Sequence, residues 1–335
     1  MSALDAGGVR KLRGVGAARL ARLLAGACAL ALVWSAAPAA AGGTQVAVVA
    51  VAGDVWLTTG FDVVKLDAFT GRVVRRNATR YQFPLELGVS DGNVWVTSVE
   101  NGFVSGAVTR IPFESGRVTQ PLVFPSRPVL SLAVGSGTTW ALVGPWASLG
   151  LAAIDQATGR ATLTRLRQRV GWIAADNVGD TPGLFGVNDR GQAIRLTGTG
   201  GSVWTATTDR IESPAAVGLG KVWVASRTGL YRLDAATGRV EAKVPVLGHG
   251  AELTLGGGFL WAVSLRSGKA GESYELFKVD PGTARVVKHA NLAGPVGAIS
   301  FGSDALWMGR ASPTVGLVRI DPRTLTERLF AKNLG

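Results

Sequence analysis

Beyond residue 42 the chain alternates apolar and polar positions in short runs that end at glycine or proline, and it shows no convincing amphipathic helix. Six of the runs hold a tryptophan: "DVWL" at Trp56, "NVWV" at Trp95, "TTWAL" at Trp140, "KVWV" at Trp223, "FLWAV" at Trp261 and "ALWMG" at Trp307. The step from 140 to 223 is twice the usual one, and Phe185 in "GLFGV" falls near its middle. That makes seven copies, spaced about 42 residues apart. An apolar run and a Gly-rich tight turn precede each Trp run, as in "PAAVGLG". After a variable loop comes a third run ending in Asp, as in "VVKLDAFTGRVV" and "LYRLDAATGRVE", and a fourth follows the turn at once. β-branched enrichment and Gly punctuation make each unit four short strands.

Four-stranded units of this length without helices predict an all-β fold, a seven-bladed β-propeller of antiparallel blades, because a lone twisted sheet cannot bury both of its faces and a ring of sheets can. Residues 42–335 form this single domain, with nothing left over for another. The repeat Trp side chains are expected to fill the wedges between blades rather than to stack on ligands. "GSVWTATT" around Trp204 reads as the fourth strand of the irregular fourth blade; the last unit has enough sequence for all four of its own strands, so closure with or without an N-terminal strand stays open. Asp67, Asp155, Asp234, Asp280 and Asp321 invite a carboxylate-cluster reading. One Asp per unit spreads them around a ring, however, and Asp-x-x-Thr-Gly suits a hairpin loop in which Asp accepts backbone N–H groups and Gly takes the left-handed position.

The wording Val-Gly-x-Gly-x-Val-Trp-Val followed by Leu-x-Arg-Leu-Asp-x-x-Thr-Gly-x-Val resembles the YVTN/streptogramin-lyase-like (virginiamycin B lyase-like) propeller superfamily, and it is also similar to the repeat of pyrroloquinoline-quinone (PQQ-like) propellers. The resemblance covers essentially residues 44–335. It specifies the blade and leaves the activity open, since one repeat serves many functions. A lyase of that superfamily implies His and Glu side chains holding magnesium. Here only His249 and His289 exist, and the positions after the Trp strands lack the Glu expected there. The quinoprotein repeat implies a Trp a few residues past Thr-Gly that docks successive blades; "RVVRR", "RATLT" and "RVEAK" stand there instead. No cofactor is therefore expected.

Composition changes the picture at the N-terminus. Arg10, Lys11, Arg13, Arg19 and Arg22 precede "LLAGACALALVW" and the small-residue stretch ending at Ala41, the layout of a secretory signal peptide over residues 1–41. An uncleaved anchor is the alternative; Cys28 lies inside the apolar run, which argues against a lipoprotein site. Removal of this segment lowers the net charge from +12 to +8 and leaves no cysteine, so neither a disulfide framework nor a Cys/His metal site is expected. The protein is thus expected to be secreted, periplasmic or held at the cell envelope. A basic product there meets anionic phospholipid or wall polymers, while dispersed charges also serve solubility alone. Charges on the outer strands guard sheet edges, and no nucleic-acid surface is expected. Asn77-Ala78-Thr79 matches a glycosylation sequon.

A propeller binds through the loops between blades and between second and third strands. On that face basic residues recur: Arg80, Arg127, Arg165, Arg167, Arg169, Arg227, Arg266, Lys269 and Arg310. Trp146 and Trp172 break the repeat position and belong to the same loops. The candidate ligand-binding set is Trp146, Trp172, Arg167, Arg169, Arg227, His249 and Arg266, since indoles beside guanidinium groups suit sugars, acidic polymers or a partner's loop. The plainer alternative is ordinary loop charge, with both indoles packed under their own loops. These features point to a monomeric, non-catalytic module that binds a protein partner or an anionic or carbohydrate ligand. A magnesium-dependent lyase or hydrolase acting through His249 on a small cyclic ester, and a purely structural interaction domain, are the competing expectations.

Overall fold

The computed structural model describes residues 46–79, 83–100, 103–145, 148–176, 183–246, 248–268, 271–310 and 315–334. They form seven four-stranded antiparallel sheets, each in simple sequence order, spanning residues 48–78, 83–124, 129–165, 172–207, 216–244, 249–292 and 298–331, here called blades 1 to 7. The first strands of successive blades touch around the whole ring, and Val48–Val51 of blade 1 lies against Ala298–Gly302 of blade 7. The ring therefore closes without strand exchange, a point that the sequence leaves open. No helix occurs among the described residues. The leader-like residues 1–41 lie outside them.

The repeat tryptophans sit on second strands, as expected, and Phe185 takes the place in blade 4. Each packs into the core shared with the next blade. Trp56 of blade 1 meets Leu87, Val94 and Ile111 of blade 2, and Trp307 of blade 7 meets Val48 and Leu57 of blade 1. Wedge filling is thus what the repeat encodes. A second layer was not anticipated: strand register sets a basic residue of the third strand directly opposite the aromatic one. The pairs are Trp56 with Lys65, Trp95 with Arg110, Phe185 with Arg195, Trp223 with Arg232, Trp261 with Lys278 and Trp307 with Arg319.

Several of these cations reach across to the next blade. Arg110 Nη1 donates to the Gln156 carbonyl at 2.9 Å, Arg232 Nη1 to those of Pro281 and Gly282 at 2.7 and 2.6 Å, and Lys278 Nζ to that of Pro322 at 2.9 Å. Each acceptor belongs to the neighbour's Asp turn. Part of the chain's basic charge thus fastens blades together through charge-assisted hydrogen bonds.

The Asp turns themselves behave as predicted. Asp67 Oδ1 accepts the Thr70 N–H at 2.7 Å and the Thr70 hydroxyl at 2.8 Å, and Asp155 with Thr158 and Asp234 with Thr237 repeat the arrangement. These hydrogen bonds hold all three carboxyls below their usual range, Asp234 at about 2. Gly71, Gly159 and Gly238 close the turns at φ of 73, 71 and 75°; Ala284 and Leu325 take the same left-handed place in blades 6 and 7.

Blade 4 departs from the rule in an informative way. Trp204 is on its fourth strand, lies against Phe185 with ring centroids 5.9 Å apart, and donates its indole N–H to the Ala235 carbonyl in the turn of blade 5 at 3.1 Å. A Cβ on Gly238 of that turn would fall 2.6 Å from the Trp204 ring. Fourth-strand docking of an aromatic ring on the next blade's turn is the device the quinoprotein resemblance implies; Phe330 of blade 7 does the same over Gly71 in the turn of blade 1. The sequon reading is corrected: Asn77 pairs with Val63 in the sheet, is 7% exposed and has its amide nitrogen buried, so the folded chain offers no acceptor there.

Candidate functional site

Antiparallel order sends the turns between first and second strands to one face and the loops between second and third strands to the other, where the connections between blades also run toward the axis. The two faces differ in chemistry. On the turn face a cavity of about 550 Å³ is bounded by first turns of blades 1, 5, 6 and 7. Its lining is glycine backbone with Phe69, Leu219, Phe259 and Phe301. Phe301 lies so close over Gly256 and Gly257 that a Cβ on either would fall within 2.5 Å of it, and it stacks at 12° on the buried Trp261. Lys278 sits 3.8 Å from the Phe259 centroid, and burial lowers its pKa.

Between the faces, first strands line the axis with carboxylates but no arginine or lysine: Glu86 in blade 2, Asp176 in blade 4 and Glu252 in blade 6. A bulge between Pro84 and Leu87 turns Glu86 inward, where it accepts the Leu132 N–H. Burial pushes the Glu86 carboxyl well above the usual carboxylate range, and the Glu252 charge adds to the rise. Among the described residues no group of three His, Cys, Asp or Glu could hold a metal ion.

The loop face carries the residues expected to bind. Arg169 pairs with Asp189 at 3.4 Å, Arg227 with Glu212 at 2.6 Å, Arg266 with Glu275, and Arg310 with Glu327. Each pair lies in blades 4 to 7, or in the connection leading into them; Arg169–Asp189 is exposed and largely screened, while the other three hold a partly or fully buried carboxylate. Four of the recurring basic residues on this face are therefore already paired, while Arg190 and Arg210 in the same sector are exposed. Arg127, Arg165 and Arg167 are exposed and make no ion pair among the described residues; the last two sit outward, where the end of blade 3 meets Gly200 of blade 4. Trp172 begins the first strand of blade 4, half-buried against the core of blades 3 to 5, which matches the packing alternative. Trp146, Arg80 and Lys269 lie outside the described residues. His249 begins the first strand of blade 6, whereas His289 is on the fourth strand of the same blade, bonded to Glu275 through Nδ1 at 2.6 Å. The two histidines are thus not brought to one site.

Two features escaped sequence reasoning. In blade 5, Asp209 accepts hydrogen bonds from Tyr231 Oη at 2.6 Å and Lys243 Nζ at 3.1 Å, and from the Thr228 hydroxyl, which together lower its pKa to about 2. The cluster is satisfied within itself. Its members are 34 residues apart in sequence and carry no local signature. The other feature is apolar. Phe61, Phe103 and Val104 stand 61, 57 and 59% exposed in the loop between second and third strands of blades 1 and 2. Phe61 meets Phe83 at a centroid distance of 5.6 Å, Phe83 pairs with Val99, and Ser105, next to Val104, accepts the Ser126 N–H at 3.2 Å, which brings in Arg127. Nothing in the local sequence "TGFD" or "NGFV" says that these rings face water.

No family model matches the chain, and no curated protein matches it. Some 895 solved chains share its structure, so the architecture alone selects no function. Among them, the crystal structure of the computationally designed Ika8 protein is 15% identical, with a TM-score of 0.57 over 90% of each chain. At that identity the likeness speaks to the fold alone.

Proposed function

We propose that this seven-bladed propeller is a non-catalytic binding module of the cell envelope that engages its partner through the loop face of blades 1 to 3. The leader-like layout of residues 1–41 and the +8 charge of the remainder support the location. The observation that carries the reading is the contrast within the loop face. Blades 4 to 7 present several arginines paired with carboxylates beside exposed Arg190 and Arg210, and their described second-to-third-strand loops hold no exposed large apolar side chain, whereas blades 1 and 2 present Phe61, Phe103 and Val104 to solvent near Arg127. Large apolar side chains grouped in water mark interaction surfaces. The superfamily resemblance supports the blade design and adds no chemistry, because its His and Glu set is missing. The purely structural alternative predicts that loop-face substitutions leave retention by envelope material unchanged.

Retention of the chain on envelope material from the expressing cell is the direct measurement. A Phe61→Ser/Phe103→Ser/Arg127→Gln variant should lose retention, and Arg227→Gln, which disturbs only the pair with Glu212, should keep it. Equal retention of both variants would remove the assignment of the face.

A further inference from the structure

Resting on that reading of the face, we infer that its occupant is the surface of an anionic phospholipid bilayer, into which Phe61, Phe103 and Val104 insert. The described chain enters the fold beside these loops: the Ala47 N–H donates to Thr58 Oγ1 at 2.7 Å, the Thr58 N–H donates to the Ala47 carbonyl at 2.9 Å, and Phe61 lies three residues past Thr58. Only eleven residues separate Val46 from Trp34, where the apolar run "LLAGACALALVW" ends. Extended, they span at most about 40 Å, and five basic residues precede the run. An apolar segment held in a bilayer would therefore keep this edge of the ring within about 40 Å of it.

The patch has the chemistry to stay there. Three exposed apolar side chains at adjacent loop tips offer area to a fluid apolar interior, and a rim cation meets the headgroups, the arrangement of an interfacial anchor. Arg127 supplies that cation. Glu100, exposed in the loop of Phe103, offsets one charge, and Asp62 beside Phe61 is 3.9 Å from Arg76. Binding thus rests more on insertion than on charge. A wall polymer or an acidic peptide would use the arginine and leave the three apolar side chains in water.

The test uses the chain from Gly42 onward, which retains every strand of the ring and is free of cysteine, on vesicles of phosphatidylcholine with and without phosphatidylglycerol. Withdrawal of each apolar side chain from water is expected to change partitioning about fivefold, so Phe61→Ser/Phe103→Ser/Val104→Ser should weaken it by about a hundredfold. Arg127→Gln should weaken it about fivefold, on anionic vesicles only. Melting temperatures of these variants should match the parent, since the altered side chains are exposed. A fluorophore on Val104→Cys should shift to the blue on vesicles, and one on Leu219→Cys, on the turn face, should not. Equal vesicle binding by parent and triple-serine variant, or equal shifts at both labels, would overturn the inference. Envelope retention that depends on these loops but survives removal of lipid would also overturn it, while leaving the proposed binding face standing.

Discussion

The turn face and the loop face of this ring are made from the same strands, yet nearly everything that repeats in the sequence lies at the first and nearly everything that does not lies at the second. On the turn side an Asp–Thr bond closes one hairpin after another, and cations such as Arg232 fasten each blade to the turn of the next. On the loop side the blades differ: Arg227 pairs with Glu212, Arg310 with Glu327, and exposed Phe61 and Phe103 stand only in blades 1 and 2 among the described loops. A repeat persists where each copy must meet the same neighbour geometry. Freedom from that demand is what lets loops carry function.

The largest effect expected from breaking this contrast is on the repeat itself. Trp307→Ala empties a wedge between blades 7 and 1 and should cost about 3–5 kcal/mol in urea unfolding. Phe103→Ser on the loop face should fall within about 0.5 kcal/mol of the parent in the same assay. Next, Gly238→Ala combines a φ of 75° with a Cβ 2.6 Å from Trp204 and should destabilise by about 2–3 kcal/mol, against about 1 kcal/mol for Gly137→Ala, where φ is 69° and nothing lies within 4 Å. Similar losses at both glycines would show that blade-to-blade contact at the turn contributes little.

Smaller effects should appear as pH dependence, with opposite signs. Glu86, whose carboxyl is raised by burial, contributes stability fully below its unfolded value near 4.5, and that contribution is lost as pH climbs through the higher folded value. Unfolding midpoints should therefore decline toward alkaline pH, and Glu86→Gln, which keeps an acceptor for the Leu132 N–H, should flatten the decline. Asp234 and Asp209, held at about 2 by their hydrogen bonds, contribute stability above their unfolded values near 3.8 and lose it as pH falls toward 2. Asp234→Asn should show a weaker acid dependence over that window; an unchanged profile would mean that the turn bonds do not favour the charged form.

The fold was legible because its restraints are local in sequence. The Trp spacing, the Gly turns and the Asp-x-x-Thr wording each recur within one unit, so their period reveals the ring before any contact is known. The candidate site was legible only in outline. Listing Arg169, Arg227, Arg266 and Arg310 as a basic face overlooked Asp189, Glu212, Glu275 and Glu327, because partners up to 20 residues away meet only when strands pair. Trp172 read as a loop residue, since the strand it begins is marked only weakly by its neighbours. The cations opposite the Trp strands were in plain sight as "KLD", "YRLD", "FKVD" and "VRID", but their meaning depends on antiparallel register.

The amino-acid order by itself determined the number of blades, their strands and the turns that close them, because these follow from periodicity and from backbone preferences of Gly, Asp and Thr acting over a few residues. Tertiary structure alone decided which charges are neutralised, that Asn77 is enclosed, that Glu86 faces inward at a bulge, and that Phe61 meets Phe83 while Phe61 and Phe103 stay exposed on the loop face. Those outcomes depend on distances between blades, and such distances exist only once the ring has closed.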